Sequence, residues 1–394
     1  MKTNHTSTAL LAVLIAAAFF VYGCEGPAGQ PGDNGTNGKD GISSVFNLEG
    51  YAPGIKCGTC HTPGQDTTNL VAGRKYEWQS SKHAVGGDLD RNALGCAGCH
   101  TAEGFIQRAN SRWQSQAIAA DVLHPSPPGC FACHSPHARG NFSRRDSAAV
   151  TITSFIAGVP NAVFDYGNGN LCVRCHQTRT SSPMSPIPDP TKTALTDTLK
   201  ITSSRWYPHY GVNGQMLMGT GGFQFVDYTY TGNSNHTSNT TIKQEGCPKC
   251  HMSEPVGGGA GKGGGHTMWI GYDNEGVPGY VLTGCKSAGC HASSITSPDI
   301  AGSSTGGVGA QTLILRNLDT LKQLLVARNW LDITSDPIGL VRATTSSPLK
   351  IVPASRAGAI YNYFFIQHEG SEGVHNTKYA LDLLRSSIRE MRKP

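Results

Sequence analysis

Apolar positions are unevenly spread along this chain. Ala9 to Val21 form an unbroken apolar stretch, too short to span a bilayer comfortably, and it ends at Val21-Tyr22-Gly23-Cys24. From Cys57 to His291 long runs of helical periodicity are few, and clusters of Gly, Pro, Ser and Thr recur. That pattern predicts short helices joined by loops. The last hundred residues differ. Gln311 to Trp330 places Ile314, Leu318, Leu321 and Leu325 on one face of an amphipathic helix. A second helix is predicted from Ala354 to about His368, just after Pro353, with Tyr361, Tyr363, Phe364 and Phe365 along it. A third begins near Asn376, a favourable N-cap, and presents Ala380, Leu384, Ile388 and Met391. The fold class is therefore mainly α with extensive irregular loops.

Composition changes this picture in one respect. At 394 residues the chain is long, yet 38% hydrophobic content argues against a single large side-chain core, and 15% charged residues are too few for a solvated disordered chain. Something other than side chains is then expected to fill the interior. The 13 cysteines suggest what it is.

Twelve of them fall into six sites. Five have the form C-x-x-C-H: Cys57 and Cys60 with His61, Cys96 and Cys99 with His100, Cys130 and Cys133 with His134, Cys172 and Cys175 with His176, Cys247 and Cys250 with His251. In the sixth, four residues separate Cys285 from Cys290, and His291 follows. Random order would give roughly 0.02 C-x-x-C-H matches in such a chain. Two intervening residues let both thiols reach the two vinyl groups on one porphyrin edge, and the adjoining histidine falls below the ring as proximal iron ligand. Four can make the same bridge with a bulged loop. Zinc explains the sites poorly, because a histidine directly after the second cysteine is badly placed to share its metal. Disulfides within each motif would leave the six histidines unexplained. Six covalently bound c-type haems are the expected cofactors.

A second axial ligand decides what each iron does. Outside the motifs and the leader's His5 stand His83, His124, His137, His209, His236, His266, His368 and His375, more than six sites need. Bis-histidine ligation gives closed, low-spin irons suited to electron transfer. His83, His137, His209, His236, His266 and His375 are the better candidates. His124 could displace one of them, and His368 is the weakest.

From Cys57 onward the chain resembles the multihaem c-type cytochromes of bacteria that respire on external or periplasmic acceptors. Trp78-Gln-Ser-Ser-Lys-His83 resembles a distal-ligand segment of that family, and Cys250-His251-Met252 with Gly264-Gly265-His266-Thr267 resembles its recurrent pair. Gly373-Val374-His375-Asn376 with Tyr379, Leu383 and Leu384 resembles the C-terminal helix of the pentahaem nitrite reductases and their relatives. The resemblance implies a multihaem array with a C-terminal helical region packed on it. It also implies electron relay between redox partner proteins, other cytochromes among them, and an extracytoplasmic acceptor such as a metal oxide. The alternative is a haem-based reductase of a small oxyanion with one open iron. Those enzymes usually carry lysine in the catalytic motif, whereas every motif here ends in histidine. No catalytic residue is assigned, and likeness to filament-forming relatives leaves homo-oligomers or filaments open.

The N-terminus resembles a bacterial lipoprotein signal over residues 1–23, with lipid added to Cys24. An ordinary signal peptide would leave Cys24 an unpaired exported thiol. Gly26, Gly29, Gly32, Gly35, Gly38 and Gly41 then recur at the collagen period, which fits an extended tether over 24–45 better than a trimerising triple helix. A hexahaem domain is expected over 46–300 and the helical region over 301–394. The protein should be exported and membrane-anchored by its lipid, at the outer membrane or cell surface or facing the periplasm. Nucleic acid is not an expected partner. The formal charge of +5 falls when the leader leaves and about twelve haem propionates are added. Gly257 to Gly265 lacks the Ser or Thr that a phosphate loop needs after Lys262, and reads as a flexible loop.

Overall fold

The computed structural model describes residues 61, 66, 68–85, 88–139, 141–180, 184–255 and 261–394. The expected signal segment and glycine-rich tether, with Cys24, Cys57 and Cys60, lie outside the described residues. The architecture is helix-rich with irregular loops, as the hydrophobic pattern predicts, and has a few short strands that it does not predict.

In the first two thirds the helices are brief. Helix α1 spans Val71–Gln79, α2 Lys82–Val85, α3 Ala97–His100 and α4 Ala102–Asn110, and none exceeds 9 residues. Helix α5 is Cys130–Cys133, α6 Pro136–Arg139, α7 Asn170–Val173, α8 Asn213–Met218, α9 Thr240–Glu245 and α10 Pro248–His251. Four of them, α3, α5, α7 and α10, are single turns of 4 residues at a cysteine motif. An isolated turn of this length does not hold itself together, so these depend on tertiary partners.

Eight strands make four two-stranded antiparallel ribbons among the described residues. Strand β1 (Val150–Ile152) pairs with β2 (Ala162–Phe164), and β3 (Leu199–Ile201) with β8 (Leu349–Ile351). Strand β4 (Gly271–Asn274) pairs with β5 (Val277–Tyr280), and β6 (Leu331–Asp332) with β7 (Leu340–Val341). The β3–β8 ribbon carries the middle of the chain onto its C-terminal part.

That part holds three long helices: α11 (Ala310–Ala327), α12 (Gly358–Glu369) and α13 (Thr377–Arg392). Helix α11 buries Ile314, Leu318, Leu321 and Leu325, the four residues of the apolar face read from the sequence. A 3-10 turn over Ala354–Ala357 leads into α12, which is buried almost all round and so forms the centre of the group. Gly370, at φ 76°, ends it in the left-handed conformation that glycine adopts without strain. Asn376 caps α13 by accepting from the Tyr379 N–H.

The interior corrects one expectation. A substantial side-chain core joins Trp206, Phe223, Phe225, Ile201 and Ile351 to Ile314, Leu321, Phe364, Phe365 and Leu384 of the three helices. Low average hydrophobicity concealed it, because the apolar residues are concentrated in the later part of the chain instead of being spread along it. Asn362, buried within it, is satisfied: its Nδ2 donates to Phe223 O at 2.8 Å, while Phe223 N donates to Asn362 Oδ1 at 2.7 Å. No described helix is long and apolar enough to cross a membrane.

Candidate functional site

The single-turn helices position the motif histidines. His100 ends α3, His251 ends α10, His134 directly follows α5, and His176 lies three residues beyond α7. Each motif histidine faces one histidine from elsewhere in the chain. Ring centroids of His61 and His137 are 6.3 Å apart, those of His100 and His209 6.3 Å, and those of His134 and His266 6.4 Å. His176 and His83 are 6.2 Å apart, His251 and His375 6.0 Å, and His291 and His236 5.7 Å.

The non-motif partners are placed by local structure that differs from pair to pair. His83 lies in α2 and His137 in α6, whereas His236 and His266 sit in 3-10 turns over Asn235–Thr237 and Gly265–Thr267. His375 immediately precedes the cap of α13, so that helix delivers it. Two other candidates stand apart from the six pairs. His124 is exposed. His368 is buried, stacked on Tyr210 with centroids 3.8 Å apart, and its Nδ1 is 2.8 Å from Pro208 O.

Several paired rings are oriented through Nδ1, which leaves Nε2 for the facing ring. His209 Nδ1 lies 2.9 Å from Tyr210 O, His236 Nδ1 2.9 Å from Val374 O, and His251 Nδ1 3.1 Å from Met268 O. His176 Nδ1 is 3.1 Å from Asn213 Oδ1. Burial pushes His83 and His251 down to about 4 and also lowers His100, His134, His176, His209, His236 and His266. Neutral imidazole is the form that can donate a lone pair to a metal. His375 goes the other way: burial alone would lower it, but the Glu369 carboxylate against its Nδ1 outweighs burial and raises it.

The cysteines are equally organised. All ten described motif cysteines are free thiols. Thiols of different motifs lie close together: Cys99 to Cys175, Cys172 to Cys247, and Cys250 to Cys285. Cys133 is within electrostatic reach of Cys172. The backbone explains how motifs come so close. A Cβ on Gly169 would stand 2.9 Å from Cys247 N and 3.1 Å from its Sγ, and one on Gly284 would stand 2.1 Å from Lys249 O. Only glycine lets these segments touch.

Arg108 staples two motifs from between. It is 3% exposed, and its Nη1 donates to Gly98 O at 2.8 Å and lies 3.2 Å from Cys99 Sγ, while Nη2 donates to Arg174 O at 2.9 Å. The sequence reading missed Arg108, Asn213 and Glu369. Arg108 carries no local signal, since its partners lie in other segments. Glu369, six residues before His375, could have been noticed as an acid beside a candidate ligand.

The geometry fits a haem iron. Two metal–nitrogen bonds of about 2 Å, with two imidazoles each reaching roughly 1.1 Å from centroid to nitrogen, put ring centroids about 6.2 Å apart. Ordinary aromatic pairs span a similar range, so one such distance decides little. The one-to-one matching of six motif histidines to six others is what singles out the arrangement.

No protein-family model matches this sequence, and no curated protein does. A solved structure is similar. It is the crystal structure of the outer cell wall cytochrome OcwA, with a TM-score of 0.44, 16% sequence identity, and alignment over 81% of this chain and 50% of that one. This chain therefore spans about half the length of that protein.

Proposed function

We propose that this protein is an exported electron-transfer protein that binds six c-type haems, with each iron between one motif histidine and its facing partner. Haem, when so bound, supplies a one-electron ferric/ferrous couple. The observation that carries the reading is the set of six motif-to-distal histidine pairs at 5.7 to 6.4 Å.

In this reading Cys57 with Cys60, Cys96 with Cys99, Cys130 with Cys133, Cys172 with Cys175, Cys247 with Cys250, and Cys285 with Cys290 anchor the porphyrin edges. His61, His100, His134, His176, His251 and His291 are the proximal ligands. His137, His209, His266, His83, His375 and His236, in that order, are the distal ones. Because every motif histidine has a facing histidine, the pairing favours closed irons and electron relay over the binding of a small oxyanion. Thiol contacts from motif to motif bring neighbouring attachment sites together, as a conduit requires. The electron partners would be other redox proteins and an acceptor beyond the inner membrane.

Two measurements on protein made in a host competent for cytochrome maturation test this. Intact mass should exceed the polypeptide by six haems, and electron paramagnetic resonance of the oxidised protein should show low-spin ferric signals alone. A colourless product would overturn the haem reading. A substantial high-spin component would favour the reductase.

A further inference from the structure

What the paired histidines meet at Nδ1 is not uniform. At His209, His236 and His251 it is a backbone carbonyl, and at His176 the Asn213 side-chain oxygen. His266 Nδ1 lies 3.6 Å from Glu77, whose charge is shared with Arg74 at 3.2 Å. His375 differs from all of these, because its Nδ1 donates directly to Glu369 Oε1.

Glu369 is built into this role. Its side chain is 0% exposed, and among the described residues no Lys or Arg lies within ion-pair distance of it. Ser371 N–H donates to Oε2 at 3.1 Å, Ser371 Oγ donates to the same oxygen at 2.6 Å, and Asn213 Nδ2 donates to Oε1 at 3.2 Å. These neutral donors hold the carboxylate in place and leave its charge uncompensated. Asn213 also reaches His176, so one amide links groups at the fourth and fifth motifs.

From this we infer that Glu369 is a positioning residue that sets the potential of the His251–His375 iron below those of its two neighbours in the chain of motifs, the His176 and His291 sites. The inference rests on the haem reading above. A carboxylate accepting from the outer nitrogen of a metal-bound histidine raises the basicity of the coordinating nitrogen, and a buried negative charge favours the more positive oxidation state of the iron. Both effects stabilise ferric over ferrous iron. The neighbouring sites lack them, since His176 meets an amide and His236, the partner of His291, meets a carbonyl. The fifth motif then forms a low-potential step between the fourth and the sixth.

The test is a mediated optical redox titration of the six-haem protein, reduced with dithionite and reoxidised with ferricyanide, beside the isosteric variant Glu369→Gln. One component should move to higher potential while the other five stay. Unmoved components, or a common shift of all six, would overturn the inference. Near-infrared magnetic circular dichroism of the unaltered protein gives a check that needs no variant. One porphyrin-to-iron band should be displaced to shorter wavelength by the stronger ligand field, and six superposed bands would count against the inference. If the unaltered protein binds no haem, the underlying reading fails. If it binds six and the potentials ignore Glu369→Gln, only the present inference does.

Discussion

Whether a histidine faces a motif histidine depends on a few ångströms that its neighbours in sequence do not specify. His124, between Leu123 and Pro125, has as loop-like a context as His209 or His236, and only family-like flanking residues favour the latter two. In the fold, His209 and His236 face His100 and His291, whereas His124 faces solvent. His368 is excluded differently: its ring is buried against Tyr210 and its Nδ1 is engaged by Pro208 O. The residues behave differently under substitution as a result. His209→Ala or His236→Ala should convert about one haem in six to a high-spin form in oxidised-state electron paramagnetic resonance, since losing one axial ligand opens the iron. His124→Ala and His368→Ala should leave the spectrum low-spin. A high-spin signal from His124→Ala would break the pairing assigned here.

Among the elements, the three C-terminal helices were the most legible. Apolar spacing marks the face of α11, Pro353 the approach to α12, and Asn376 the start of α13, because each signal is local and spans several turns. The four ribbons were not, since β3 and β8 are 3 residues each and lie some 150 residues apart in sequence. A strand so short has no readable period. The single-turn helices at the motifs were legible only as chemistry, because 4 residues carry no helical pattern. The core between α11, α12 and α13 has its own energetics. Leu321, fully buried on α11, should cost about 3 kcal/mol when cut to alanine, as large-to-small changes in packed cores do. Unfolding of Leu321→Ala followed by far-ultraviolet circular dichroism should show the loss while the Soret band of the folded protein is unchanged. A changed Soret band would mean that this core and the haem sites are not separable.

Across the described part of the molecule, the motifs branch at the fourth, which lies within electrostatic reach of the third at Cys172 and Cys133. The fourth motif touches the second through Cys175 and Cys99, and the fifth through Cys172 and Cys247, while the fifth reaches the sixth through Cys250 and Cys285. Arg108 fixes the branch towards the second motif by bonding backbone carbonyls of both. A lipid anchor is proposed on Cys24 alone, which lies outside the described residues. In detergent phase separation the mature protein should enter the detergent phase, and Cys24→Ser should remain in the aqueous phase. Equal partitioning of the two would remove the lipid anchor from the proposal.

By itself, the sequence determined the long helices and the chemistry to be expected of the motifs. In the proposed reading, cysteine and histidine spacing within a motif is set by a covalent bridge a few residues long, and an apolar stripe is set by the helical repeat, so both can be read locally. Tertiary structure alone decided which histidine faces which motif, that a side-chain core stands beside the motifs, and that Glu369 rests on His375. Each of these joins segments whose approach is governed by packing between distant residues, which no local pattern encodes.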